Sequence, residues 1–153
     1  MRLNLPKLLL LSAPLITSTL ASCAPSSARI TELLAPLSTG DATSLVALFS
    51  PNITWTTFGS ILNGTRNYTG LIESFTKVVG AINGTYKMDV VSVIAEGNHS
   101  SAEVKMAEGS VGKNGVPYDQ HYVWIMEWDG EMIVSGREYL DTQLVDRLFE
   151  VDY

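Results

Sequence analysis

Apolar residues recur along the chain with two different periods, and the change of period divides it. Ile30, Leu33, Leu34 and Leu37 fall three or four apart, the spacing of one helical face, until Ser38-Thr39-Gly40 stops the run. Asp41 is placed to cap a second short helix with Leu45, Val46, Leu48 and Phe49 as its apolar face, and Pro51 ends it. Residues 53–58, Ile-Thr-Trp-Thr-Thr-Phe, are β-branched and aromatic and predict a strand. A loop follows through Gly59, Asn63-Gly64 and Asn67. Helical spacing returns over 69–82 with Leu71, Ile72, Phe75, Val78, Val79 and Ile82, closed by Asn83-Gly84.

Beyond Thr85 the period becomes two. Strands are predicted from Met88 to Ala95, Ser101 to Ala107, Tyr118 to Trp128 and Met132 to Tyr139. Gly97-Asn98 turns the first pair, 109–115 is a longer Gly-containing connection, and Asp129-Gly130 makes a tight hairpin. Asp141 is placed to cap a closing helix with Leu144, Val145, Leu148 and Phe149 on its apolar face. Helices that precede a long antiparallel meander predict an α+β fold, with a curved, mostly antiparallel sheet wrapped over three N-terminal helices. One domain over 27–150 suits a chain of 153 residues.

The chain start has its own logic. Arg2 and Lys7 precede an apolar run from Leu8, and Thr17-Ser18-Thr19-Leu20-Ala21 ends it in small residues, as in a signal peptide over 1–21 cleaved after Ala21. That run is shorter than the ~20 residues a membrane span needs, and no later segment reaches that length. Residues 22–26 are expected to be a loose, disordered mature N-terminus. Asn52, Asn63, Asn67, Asn83 and Asn98 each open an Asn-x-Ser/Thr acceptor triplet, so a secreted, N-glycosylated product is expected. Leu20-Ala21-Ser22-Cys23 also fits a lipidated cysteine, which leaves a lipid anchor at Cys23 as the alternative.

Hydrophobic residues make up 46% and charged residues 17%, a globular balance. A net charge of −6, with no Lys/Arg run, argues against a nucleic-acid partner. Cys23 is the one cysteine, so no internal disulfide forms. His99 and His121 are too far apart to found a metal site of usual spacing, and no phosphate loop or nucleophile elbow is present. No cofactor or metal is therefore expected.

The C-terminal third carries a resemblance. Tyr118-Asp119-Gln120-His121-Tyr122-Val123-Trp124-Ile125, then Asp129-Gly130, then Arg137-Glu138-Tyr139-Leu140-Asp141-Thr142 resembles the SnoaL-like branch of the nuclear-transport-factor-2-like superfamily, which holds polyketide cyclases and ketosteroid-isomerase-related proteins. The resemblance implies a bent sheet over helices, a pocket between them that is often apolar, and a homodimer through the outer sheet face. Because that fold hosts dehydratases, isomerases, cyclases, epoxide hydrolases and proteins without catalysis, it does not by itself give a reaction.

Period two places Glu138 on one face with Met132, Val134 and Gly136, pointing inward. An acid in an apolar pocket has its pKa raised and suits general acid or base work; paired with Lys105 or a buried hydroxyl it would serve structure alone. The segment is also similar to limonene epoxide hydrolases, whose pocket carboxylate matches Glu138. Their partnering Arg and Asp are not reproduced, since Glu103 and Lys105 stand nearest. Trp55, Tyr68, Tyr122 and Trp124 either line a pocket for a small, largely apolar molecule, with Thr57 and Gln120 as orienting polar groups, or fill a plain core. Tyr122 is the candidate donor to a developing oxyanion. His121 falls on the opposite, outer face of its strand, and the His pair of scytalone dehydratases is missing. The reading is a ligand-binding domain for cofactor-free cyclisation, dehydration or isomerisation, or a non-catalytic carrier or dimeric interaction module.

Overall fold

The computed structural model describes residues 24–59 and 62–150. The expected leader over 1–21 and Cys23 lie outside the described residues. From the segment expected to be loose, Ala24 donates its N–H to Gly97 O at 2.8 Å, and Ser26 Oγ accepts from Arg29 N at the start of the first helix.

Among the described residues eleven elements follow. Helix α1 (Ser27–Leu34) runs through a 3-10 turn (Ala35–Thr39) into Gly40, whose φ of 88° few other residues adopt, and then into α2 (Ala42–Ala47). Next come β1 (Phe49–Phe58), β2 (Gly64–Arg66) and α3 (Tyr68–Ala81). The meander is β3 (Met88–Glu96), β4 (His99–Met106), β5 (His121–Asp129) and β6 (Met132–Leu140), and α4 (Thr142–Phe149) closes the chain. The strands form one six-stranded sheet in the order β2-β1-β6-β5-β4-β3, with β1 and β6 parallel and every other pair antiparallel. The α+β architecture is the one predicted. Among the described residues no helix is long and apolar enough to cross a membrane.

Three local differences from the sequence reading have physical causes. Phe49 and Pro51 belong to β1, not to the second helix, which ends at Ala47. Pro51 is tolerated because the β1–β6 register is interrupted between Phe49 and Thr54, where no ladder bond asks for its missing N–H. The stretch read as loop contains β2, too short at three residues to leave a periodic signal. Strand β5 starts at His121 and not at Tyr118; the Tyr118 N–H goes to Ser110 O at 2.8 Å, in the connection before it.

A bulge sets which residues of β6 face the core. Glu127 pairs with Ser135 but Trp128 with Ile133, so Val134 is the extra residue. Ile133 and Gly136 are both buried, while Met132 is exposed. Glu138 thus faces inward with Gly136, but Met132 and Val134 do not share its phase.

Gly136 also receives the flat face of Trp55 from β1, its register partner. A Cβ at Gly136 would lie 2.1 Å from the Trp55 ring, so the indole occupies the space a side chain would need. Gly136→Ala is expected to displace Trp55 and destabilise the fold by about 1–3 kcal/mol. Urea unfolding measures this, and a midpoint equal to wild type would show that the indole is not seated against Gly136.

Candidate functional site

Between the inner face of the sheet and helices α3 and α4 lies a cavity of about 300 Å³. Its wall is mostly apolar: Leu45 and Phe49 at one side, Leu71, Phe75 and Val78 from α3, and Val145 and Phe149 from α4. Helix α4 is held at both ends. Asp141 Oδ1 accepts from Gln143 N at 2.9 Å and Leu144 N at 3.1 Å, the cap read from the sequence. At the far end Asn114 Nδ2 donates to Arg147 O at 2.8 Å and Glu150 O at 3.1 Å, filling carbonyls that a helix end leaves open.

The ladder places the polar groups. Glu138 stands between Thr57 of β1 and Trp124 of β5 in register, and Trp55 lies one inward position away opposite Gly136. Trp124 Nε1 donates to Glu138 Oε1 at 3.1 Å. Trp55 Nε1 at 3.3 Å and Thr57 Oγ1 at 3.1 Å both donate to Oε2. Arg66 of β2 stands behind Thr57, donating to its hydroxyl at 3.2 Å and to Leu62 O at 3.2 Å. Burial raises the Glu138 carboxyl above its usual 4.5; the indole and hydroxyl donors, and then the field of Arg66, pull it back only in part. A carboxylate has about four acceptor positions, so one remains open on Oε1.

The cavity also collects tyrosines. Tyr118 and Tyr122 hydroxyls lie 3.0 Å apart, and Tyr86 lines the same cavity. Burial is the main cause that raises all three phenols, so they stay protonated.

Of the residues singled out from the sequence, Trp55, Thr57, Tyr122, Trp124 and Glu138 come together on this cavity. Gln120 is buried but off it: Nε2 donates to Asp141 O at 2.7 Å and Oε1 accepts from Asp141 N at 3.1 Å. Its amide is spent on the backbone entering α4 and does not orient a ligand directly. Tyr68 opens α3, half-buried and away from the lining. Lys105 alternates outward with Glu103 on β4, opposite in phase to buried Val104 and Met106, so it does not pair with Glu138. His99 and His121 are exposed. Asn52, Asn63, Asn67 and Asn83 are exposed, and Asn67 caps α3 through Oδ1, which leaves its Nδ2 outward of the cap bond. Asn98 is half-buried and donates to Glu127 at 3.0 Å, while the Ser100 of its triplet is buried beneath Trp128 Nε1 at 2.8 Å.

Tyr86, Tyr118, Arg66 and the α3 wall were not singled out. Tyr86 had a signal, standing two before buried Met88 at strand period. Tyr118 shares the aromatic face of its segment. Arg66 gave none, because a lone arginine in a Gly/Asn loop reads as surface.

Because its pKa is raised on folding, Glu138 holds its proton more tightly in the folded chain than in the unfolded one. Its contribution to stability is present below the unfolded value and is lost as pH rises through the folded one. Glu138→Gln, neutral throughout, is expected to melt about 2–4 °C above wild type at pH 8, with the gap closing towards pH 4. Thermal melts across that range check it; a gap independent of pH would mean that the carboxyl is not desolvated.

Comparison with known proteins places this geometry. Residues 30–136 match the SnoaL-like domain family. No curated protein matches the chain. Among solved structures it is similar to PrhC from Penicillium brasilianum NBRC 6234, 15% identical with a TM-score of 0.65 over 79% of this chain and 83% of that one. An NTF2-like protein from Burkholderia thailandensis E264 is 17% identical, with a TM-score of 0.63 over 83% of this chain and 99% of that one. The BvnE pinacolase from Penicillium brevicompactum is 11% identical, with a TM-score of 0.62 over 79% and 86%. Identities this low establish a shared fold and no shared reaction. The family match runs from the first helix into the last strand, and the chain belongs to the SnoaL-like domain family, with the NTF2-like fold.

Proposed function

We propose that this domain binds a small, largely apolar molecule in the cavity and performs cofactor-free acid–base chemistry on it, with Glu138 as the proton-transferring group. The observation that carries this reading is a carboxylate with no direct cationic partner among the described residues, fixed by three donors in an apolar cavity. Desolvation brings such a group towards the pKa that general catalysis favours, and the open position on Oε1 is where a substrate proton would go. The fold neighbours include the BvnE pinacolase and a putative isomerase from Bacillus subtilis. Cyclisation, dehydration and isomerisation are the reaction types that this arrangement suits. A non-catalytic carrier is the second reading, favoured by the fact that three of the carboxylate's positions are already filled.

The probe 5-nitrobenzisoxazole separates the two. It is apolar and planar, and opens when a base removes its ring proton. Wild type is expected to accelerate opening, with a rate that rises with pH as Glu138 deprotonates, and Glu138→Gln is expected to lose about 100-fold. Equal rates for the two proteins, each shown to bind the probe, would leave the carrier reading.

We also propose that the mature chain is a secreted glycoprotein and forms a homodimer through the outer sheet face. Secretion and glycosylation rest on the leader pattern and the five acceptor triplets. Dimerisation is supported by an exposed apolar row in register across β1, β6 and β5: Phe58, Tyr139 and Val123, the first two stacked at 5.0 Å. Mass spectrometry of the product from a glycosylating host tests both. Denatured mass should fall on glycosidase treatment, and native mass should be twice the subunit mass. A fatty-acylated Cys23 with no glycan would select the lipid-anchored alternative, and a monomer would remove the dimer.

A further inference from the structure

Thr57 stands between a guanidinium and a carboxyl, and that position removes its choice of role. Arg66 Nη1 lies 3.2 Å from Thr57 Oγ1, and a guanidinium can only donate. The hydroxyl accepts there, so its single proton goes to Glu138 Oε2 at 3.1 Å. Trp55 Nε1, also a donor only, meets the same oxygen at 3.3 Å. Oε2 thus faces two groups that give a hydrogen bond and cannot take one. Oε1 has one such neighbour, Trp124 Nε1 at 3.1 Å. When Glu138 is neutral its proton therefore has one place, on Oε1, with Oε2 left as the carbonyl oxygen.

Arg66 is itself held for this contact. Pairing of β2 with β1 sets Arg66 opposite Trp55 and Gly64 opposite Thr57. Nη2 donates to Leu62 O at 3.2 Å, and Nη1 reaches Gly64 O at 3.4 Å. These partners and Thr57 are all neutral oxygens, so no carboxylate draws the guanidinium away from the hydroxyl. Without Arg66 the hydroxyl could turn and accept from a proton on Oε2, which would open a second place for it. The other charged or titratable groups on the wall are Lys77 of α3 and the phenols of Tyr86, Tyr118 and Tyr122, while α4 presents Val145 and Phe149. Among the described residues the hydrogen bonds to Glu138 come from the two indoles and Thr57.

We propose that Arg66 is a positioning residue for Glu138, acting through the hydroxyl of Thr57 to confine the carboxyl's proton to Oε1. Arg66 donates to Thr57 and not to the carboxyl, so it meets neither the proton nor the oxygen that carries it. The carboxyl becomes a one-sided acid, which gives up and takes back its proton at the same oxygen. The use of that proton in a reaction rests on the reading of Glu138 as the proton-transferring group; its confinement to Oε1 does not.

An NMR titration tests this on protein labelled with carbon-13 at its glutamate carboxyls, the Glu138 signal being identified by its loss in Glu138→Gln. Thr57→Val is expected to raise the Glu138 midpoint by about one pH unit, and Thr57→Ser, which keeps the hydroxyl, to leave it near wild type. Arg66→Met is expected to raise it by about as much when Thr57 is present, and by less than about half of that in a Thr57→Val background. Equal shifts in both backgrounds overturn the proposal, because Arg66 would then act by its field alone. A midpoint unmoved in Arg66→Met overturns it too, leaving Arg66 as a tie for the β1–β2 hairpin. Infrared spectra at low pH give a second readout. The carbonyl band of neutral Glu138, taken as wild type minus Glu138→Gln, should lie below that of a carboxylic acid in hydrocarbon solvent, since Oε2 carries two donors. Arg66→Met should move the band upward, and a band unchanged in that variant overturns the proposal. The 5-nitrobenzisoxazole rate answers a separate question: if Glu138→Gln opens the probe as fast as wild type, the reading of Glu138 as a base fails, while the titration cycle still decides where its proton sits.

Discussion

The desolvation of one carboxyl organises this molecule's interior. Glu138 sits in the centre of the sheet, half-buried on a mostly apolar cavity wall, where hydrocarbon and indole take the place of much of the water that would stabilise its charge. Left alone, an acid there would cost several kcal/mol. The fold offsets this with donors on neighbouring strands, which is why the register β1–β6–β5 matters more than any helix. Thr57 and Trp124 flank Glu138 directly, and Trp55 reaches it because Gly136 yields its space. The offset is incomplete, and burial still holds the carboxyl's pKa above its ordinary value.

The architecture was largely legible, because helical and strand periods are local properties of side chains. Segregation of Ile30–Phe49 and Leu71–Ile82 from the later alternating strands was enough to give an α+β fold. Where the reading slipped, the deciding interaction was remote. Pro51 reads as a helix stop until the interrupted β1–β6 pairing is known. Glu138 was read as inward by its phase with Met132 and Val134; its orientation is right, though Met132 is exposed, because the bulge at Val134 restores the phase only from Gly136 onward.

The site was legible in its aromatic residues and not in their purpose. Trp55, Tyr122 and Trp124 at strand period line a cavity or fill a core with the same pattern, and the difference lies in how far α3 and α4 stand off the sheet. That distance is set by contacts such as Asn114 on the last carbonyls of α4, between residues 33 or more apart. Gln120 shows the same limit from another side. Its burial follows from alternation, but its partner is the backbone of Asp141, 21 residues on. Arg66 has no periodic context at all; its place comes from the β2–β1 pairing opposite Trp55 and from its bonds to Thr57 Oγ1 and Leu62 O.

The bulge at Val134 has a consequence for how such sites arise. Counted by strict alternation from buried Ile133, the side chain at 138 belongs to the solvent face; the one extra residue reverses its parity. The hairpin tip and the acid are therefore in opposite phase, joined by a single inserted position. In this sheet the face on which the acid lies, relative to the hairpin tip, is set by one inserted position and not by the acid itself.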